Sequence, residues 1–161
     1  MSVEVGSIPL DAGSTAIERC RHYSTVCGLP ARVVHGSRIV VRLDGLVGAV
    51  TMPADLAHRV AVALRLQSLP APAVAHPGGK RWTFLTGPGS VGPDNARNLL
   101  PIGVNVVGDE ASVVLPSPET ELLGLWRWTD RSVPLELPAQ AVLLASARAL
   151  SFSATGGRSG W

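Results

Sequence analysis

Residues 47–64 read VGAVTMPADLAHRVAVAL, and they contain the clearest change of secondary structure in the chain. The apolar run Leu46 to Val50, which follows the turn signal Asp44-Gly45, predicts a buried strand. A helix follows at once, because Pro53 suits the first helical turn and Asp55 places negative charge near the helix N-terminus. Its predicted buried stripe consists of apolar residues at helical spacing, namely Leu56, Val60, Ala63 and Leu64. We therefore expect a strand that runs directly into an amphipathic helix.

The same patterns extend in both directions from this junction. Before it they predict a helix over Asp11 to Val26, ended by Gly28-Leu29-Pro30, and a strand-like stretch from Arg32 to Leu43 with a turn at His35-Gly36-Ser37. After it they predict strands at Ala73 to Ala75, Trp82 to Thr86 and Leu125 to Trp128, and a hairpin made of Ile102 to Val107 and Ala111 to Leu115. Gly87 to Leu100 reads as a polar loop with a short helical turn. Pro138 to Leu150 predicts a closing helix whose packed face holds Val142, Ala145, Ser146 and Ala149.

This order of elements predicts the α+β class, with a mixed or antiparallel sheet and helices packed against it. We expect a single domain over residues 11–150. Residues 1–10 are expected to form a flexible N-terminus, and residues 151–161, rich in Ser and Gly, a flexible C-terminal tail.

The composition excludes several classes of protein. Hydrophobic residues make up 46% and charged residues 16%, which argues against a disordered chain. The net charge of +2 is too small to indicate nucleic-acid binding by itself. No apolar window is long enough for a membrane span, and the N-terminus lacks a signal-peptide pattern. Cys20 and Cys27 are interpreted as reduced structural thiols, so a cytoplasmic location without membrane partners is expected.

Three stretches form a recognisable set when they are taken together. They are Val47 to Pro53, leading into a helix; Ala75 to Phe84, which contains Gly78-Gly79-Lys80-Arg81; and Val104 to Gly108, followed by Ser112 to Pro118 and Trp126-Arg127-Trp128. In this order and spacing they resemble the primase–polymerase (prim-pol) domain of the archaeo-eukaryotic primase superfamily. They are most similar to the small standalone actinobacterial proteins labelled bifunctional DNA primase/polymerase. The resemblance covers roughly residues 15 to 150.

The chain departs from this family at the positions that carry its chemistry. The resemblance implies an Asp-x-Asp pair for two metal ions at Thr51 and Pro53, or at Val50 and Met52 in a shifted register. It also implies a third carboxylate at Asn105 and a phosphate-binding histidine at Trp82. None of these positions keeps the expected side chain. Because divalent cations such as Mg²⁺ need charged oxygen ligands, we expect no metal site, no cofactor and no polymerase activity.

The former nucleotide cleft then becomes a candidate site for another ligand. Its expected lining is Thr51, Lys80, Arg81, Trp82, Asn105, Ser117 and Trp126. Neutral side chains and indoles suit a flat organic molecule. The Gly78-Gly79 segment either offers backbone N–H groups to an anion or is an ordinary hairpin turn. Trp126 and Trp128 share a strand face, for which core packing is the favoured role.

Three functions remain open at this point. The first is a degenerate prim-pol-like module that binds a small organic molecule. The second is a metal-independent enzyme of specialised metabolism, in which His76 is the candidate catalytic acid or base for cyclisation or rearrangement. The third is a weak nucleic-acid binder that uses arginines such as Arg32, Arg38 and Arg42. The apolar composition is also compatible with a homodimer.

Overall fold

A computed structural model describes residues 7–89, 99–108, 110–134 and 136–158. It confirms the predicted strand that runs directly into a helix. Strand β4 covers Gly48–Pro53 and helix α2 covers Ala54–Leu66. Pro53 occupies the N-cap position, one residue before the place predicted for it. The buried residues of α2 are Ala57, Val60 and Leu64.

The fold is a single α+β domain with antiparallel sheets and helices packed against them. The remaining strands are β1 Ser7–Pro9, β2 Ala31–Val34, β3 Arg38–Arg42, β5 Ala73–Ala75, β6 Arg81–Thr86, β7 Asn105–Val106, β8 Ser112–Leu115, β9 Arg127–Trp128 and β10 Ser132–Pro134. The remaining helices are α1 Ala16–Thr25, α3 Pro118–Leu122 and α4 Gln140–Arg158, with a 3-10 turn at Leu100–Ile102.

The central sheet has five strands in the order β7-β4-β6-β5-β9. β4 and β6 pair over their whole length, so that Thr51 lies opposite Thr83 and Pro53 opposite Arg81. On the other side of β4, Thr51 is opposite Asn105 of β7. The sheet therefore brings three sequence-distant segments to one place.

A second sheet corrects one prediction. The stretches Ile102 to Val107 and Ala111 to Leu115 do not form a hairpin, because β7 pairs with β4 whereas β8 pairs with β3. β2, β3 and β8 make a separate three-stranded sheet, and β1 pairs with β10. The β2–β3 turn is the one predicted, with left-handed backbone at His35 and Gly36.

The closing helix α4 also differs from the prediction. Its buried residues are Gln140, Leu143, Leu144 and Ala147, whereas Ala145 and Ala149, which were assigned to the packed face, are exposed. Helix α4 packs against α2 and β4. The side of α4 that meets them is rotated by about one residue from the predicted stripe. The helix continues to Arg158 and so includes residues 151–158 of the predicted tail; residues 159–161 lie outside the described ranges.

Two apolar clusters lie on opposite faces of the five-stranded sheet. On one face, α2 and α4 cover a cluster that includes Val50, Met52 and Phe84. On the other, α1 and the three-stranded sheet cover a cluster that includes Ala49, Leu85 and Trp128. Because side chains alternate along a strand, successive residues of β4 and β6 belong to different clusters.

Both cysteines are free thiols, as expected. Cys27 is buried within the second cluster, and burial raises its pKa to about 11. Such a thiol carries little thiolate at neutral pH, which suits a structural role. None of the helices in the described ranges combines the length and apolar character that a bilayer crossing needs.

Candidate functional site

A polar patch lies on the five-stranded sheet, on the same face as the cluster that α1 and the three-stranded sheet cover. Thr51, Thr83 and Asn105 lie side by side on β4, β6 and β7. Arg81 shares their face because it is two residues from Thr83 on the same strand. His76, whose backbone N–H donates to the Arg81 carbonyl at 3.0 Å, continues the row just beyond β5. We call these five residues the Arg81 face.

The Arg81 guanidinium is held in place from two sides. Its Nη2 donates to Thr51 Oγ1 at 3.0 Å and to the backbone carbonyl of Gly103 at 2.9 Å. Among the described residues, Nη1 and Nε of Arg81 have no hydrogen-bond partner. The side chain is only partly buried, so these donors remain accessible to a ligand.

His76 is the second functional group of the Arg81 face. Its Nε2 is 2.5 Å from Thr83 Oγ1, and that hydroxyl belongs to a residue only 2% exposed. Burial lowers the pKa of His76, and the nearby positive charge of Arg81 lowers it further. The imidazole is therefore neutral at pH 7, with one nitrogen oriented by the threonine.

The Gly78-Gly79 segment behaves as a tight turn. The Gly79 N–H donates to the His76 carbonyl at 2.9 Å, and the left-handed Gly78 follows Pro77, as in a type II turn. Lys80 is exposed, and its carbonyl accepts from Ala54 at the start of α2. The Gly79 N–H is thus already used, which favours the hairpin interpretation over an anion site at the glycines.

Trp82 lies on the opposite face of β6 from Arg81. Its ring packs against the helix-covered cluster, with ring centroids 6.1 Å from His58 and 6.3 Å from Phe84. The sequence-based grouping placed Arg81 and Trp82 in one lining although strand alternation separates adjacent residues. Trp82 is therefore not part of the Arg81 face.

Ser117 and Trp126 have structural contacts of their own. Ser117 is fully buried at the N-cap of α3, where its hydroxyl accepts from the Thr120 N–H at 3.1 Å. Trp126 packs against the apolar cluster beneath the three-stranded sheet, with the Arg38 guanidinium 5.1 Å from its ring centre. Trp128 is buried in this cluster and Trp126 packs against it, so core packing is confirmed for the pair.

Two members of the site were missed by the sequence analysis. Thr83 could have been found, because it lies in the predicted strand Trp82 to Thr86, just after the loop that was predicted to end at Arg81. The Gly103 carbonyl could not, since it depends on the 3-10 turn before it and on a left-handed φ of 83°. A side chain is also excluded at this position, as an added Cβ would lie 2.9 Å from Pro53 Cγ.

Replacement of Gly103 by alanine should destabilise the protein and disturb the Arg81 guanidinium. We expect the free energy of unfolding to fall by about 2 kcal/mol from left-handed strain and the clash with Pro53. Urea unfolding measures this loss. Gly36→Ala is the matched control, because Gly36 has φ +82° but no atom within 4 Å of an added Cβ. Equal losses in the two variants would contradict the packing argument.

The lowered pKa of His76 predicts a stability change in mild acid. Because the folded-state pKa lies below the usual 6.5, stability is fully present above pH 6.5 and is lost as the pH falls through the folded-state pKa. His76→Gln should lose less stability than the wild type over this range. NMR titration of the His76 ring should show a midpoint below 6.5 that rises in Arg81→Gln; an unchanged midpoint in that variant would contradict the charge effect.

In the described ranges, no group of three or more His, Cys, Asp and Glu side chains is placed to hold a metal ion. The positions at which the resemblance implies metal carboxylates hold Thr51, Pro53 and Asn105, and the first and third of these are strand neighbours. Hydroxyl and amide oxygens without a carboxylate are a poor ligand set for Mg²⁺.

Fold and site together define a small antiparallel α+β domain with a cationic and hydroxyl-bearing sheet face. Comparison with known proteins adds no relative: no family model, no curated protein and no solved structure matches the chain.

Proposed function

We propose that the protein is a catalytically degenerate prim-pol-like module that binds a small organic anion at the Arg81 face without a metal. The observation that carries this proposal is the state of the Arg81 guanidinium. Two hydrogen bonds from Nη2 orient it, while Nη1 and Nε stay without a partner among the described residues. Each of these two nitrogens can donate a single charge-assisted hydrogen bond to a carboxylate or a similar anion.

The neighbouring groups support an organic ligand over a metal–triphosphate complex. Thr51 and Asn105 offer neutral oxygens and an amide at the positions where prim-pol resemblance implies carboxylates. Triphosphate transfer depends on metal ions that neutralise developing charge, and this face supplies no acidic ligand for them. The neutral His76 adds a hydrogen-bonding group beside the cation.

Isothermal titration calorimetry with aromatic carboxylates such as benzoate and salicylate, in EDTA, tests the proposal. We expect binding that weakens by at least about tenfold in Arg81→Gln, since one charge-assisted contact is worth about 1.4 kcal/mol or more. Arg32→Gln is the control, because Arg32 is an exposed arginine on β2, in the other sheet. Equal affinities in the two variants would contradict a site at Arg81.

A second candidate function, a metal-independent enzyme, is favoured by one observation. The imidazole of His76 is neutral, is oriented by Thr83 and lies beside a cation, an arrangement suited to a general base acting on a bound acid. If a carboxylate that binds is also converted, His76→Gln should abolish turnover and leave binding intact. Loss of binding and turnover in equal measure would instead give His76 a ligand-positioning role.

A further inference from the structure

A cavity separate from the Arg81 face lies along the free edge of β9, between α3 and the segment that follows β1. Its volume is about 260 Å³. Its lining residues, which come from these three elements and the turn after β9, are Asp11, Glu121, Arg127, Trp128 and Arg131. A hydrogen bond links two walls of the cavity, the segment after β1 and the turn after β9: the Leu10 N–H donates to the Arg131 carbonyl at 2.6 Å. This volume is sufficient for a molecule of amino-acid size.

The charged groups of this cavity are unequally paired. Glu121 accepts a hydrogen bond from the buried Arg19 through Oε1, and the Glu121 side chain is 30% exposed. Arg131 Nε is 3.9 Å from Asp11 Oδ2, a loose contact. Within the described part of the chain, Arg127 has no ion pair or hydrogen bond from its side chain. One guanidinium and one carboxylate oxygen of Glu121 are therefore available.

We propose that this cavity is a binding site for a free α-amino acid. The α-carboxylate of such a ligand pairs with Arg127, and its ammonium pairs with the remaining oxygen of Glu121. The edge of Trp128 supplies an apolar wall for the carbon skeleton. A ligand with both charges satisfies both groups, whereas a simple carboxylate leaves Glu121 facing a second negative charge.

The charged groups of the lining select among amino acids. The cavity lining carries two carboxylates, those of Asp11 and Glu121, and two guanidiniums, those of Arg127 and Arg131, so its formal charge is balanced. Arg131 is only loosely held, with its side chain 86% exposed, and is free to meet a second carboxylate. Acidic amino acids should therefore bind more tightly than neutral ones, and basic ones least.

Calorimetric titration of the full chain with L-glutamate, L-lysine and glutarate tests the proposal. Glutarate keeps both carboxylates of glutamate and lacks its ammonium group. We expect L-glutamate to bind, and L-lysine and glutarate to bind at least about tenfold more weakly, since each loses one charge-assisted contact.

Variants locate the site without disturbing the fold. Arg127→Gln should weaken L-glutamate binding by about tenfold, whereas Arg42→Gln, an exposed arginine of β3, should not. Arg81→Gln should also leave it unchanged, which keeps this proposal distinguishable from the function proposed for the Arg81 face. The absence of L-glutamate binding at millimolar concentration, equal binding of glutarate, or unchanged affinity in Arg127→Gln would each overturn it.

Discussion

Replacing Glu121 by leucine should lower the free energy of unfolding by about 3 kcal/mol, because it leaves a buried positive charge without its partner. Arg19 is 3% exposed and donates to Glu121 and to the Ala12 carbonyl, the latter at 2.8 Å. Burial by itself lowers the pKa of Arg19, but the hydrogen bonds that its guanidinium donates to Glu121 and Tyr23 raise the pKa, and the overall direction is upward. The arginine thus stays charged and depends on the carboxylate.

A double-mutant cycle separates the lost pair from the lost packing. Arg19→Met should cost less than Glu121→Leu, because the remaining carboxylate is 30% exposed and can be hydrated. The double variant should be more stable than Glu121→Leu alone, as no buried charge remains in it. Urea unfolding gives all three values, and strictly additive losses would show that the pair contributes nothing.

Tyr23→Phe should cost about 3 kcal/mol, since it leaves buried polar groups unsatisfied. The fully buried phenol donates to the Pro116 carbonyl at 2.6 Å and accepts from Trp128 Nε1 at 2.9 Å. Arg19 Nη1 reaches the same oxygen at 3.5 Å. One hydroxyl therefore connects α1, β9 and the loop before α3, and a loss below about 1 kcal/mol in urea unfolding would contradict this role.

The same residue can be followed directly by its ionisation. Burial raises the pKa of Tyr23 to about 12, against an ordinary value of 10. Stability that the neutral phenol contributes is therefore present below pH 10 and is lost as the pH rises towards 12. Tyr23 is the chain's single tyrosine, so tyrosinate absorbance near 295 nm reports it alone. Titration near pH 10 in the folded protein would contradict the buried network.

The strands and helices that have strong local signals could be predicted. The apolar run, Pro53 and Asp55 predict the β4–α2 junction from local sequence alone. Gly36 likewise predicts the β2–β3 turn at His35 and Gly36. The pairing of β7 and β8 could not be predicted, because two adjacent apolar strands look like a hairpin until the sheets are known. The packed face of α4 likewise depends on the position of α2. The helical period of the α4 sequence does not reveal that position.

The candidate site was predicted in part for the same reason. Thr51, Arg81 and Asn105 come together because they lie on three paired strands. Trp82 is separated from them by the period-two alternation of β6. The anchoring carbonyl of Gly103 has no side-chain signal at all, so only the three-dimensional structure reveals it.

The Arg81 face should bind an organic anion without a metal. A thermal-shift titration at moderate salt tests it most directly, comparing aromatic carboxylates in EDTA, nucleoside triphosphates with Mg²⁺ or Mn²⁺, and single-stranded DNA. We expect a carboxylate to raise the melting temperature without metal, by an amount that grows with the logarithm of its concentration, and we expect Arg81→Gln to remove the shift. A shift that requires both triphosphate and metal would contradict the claim and restore a nucleotide function.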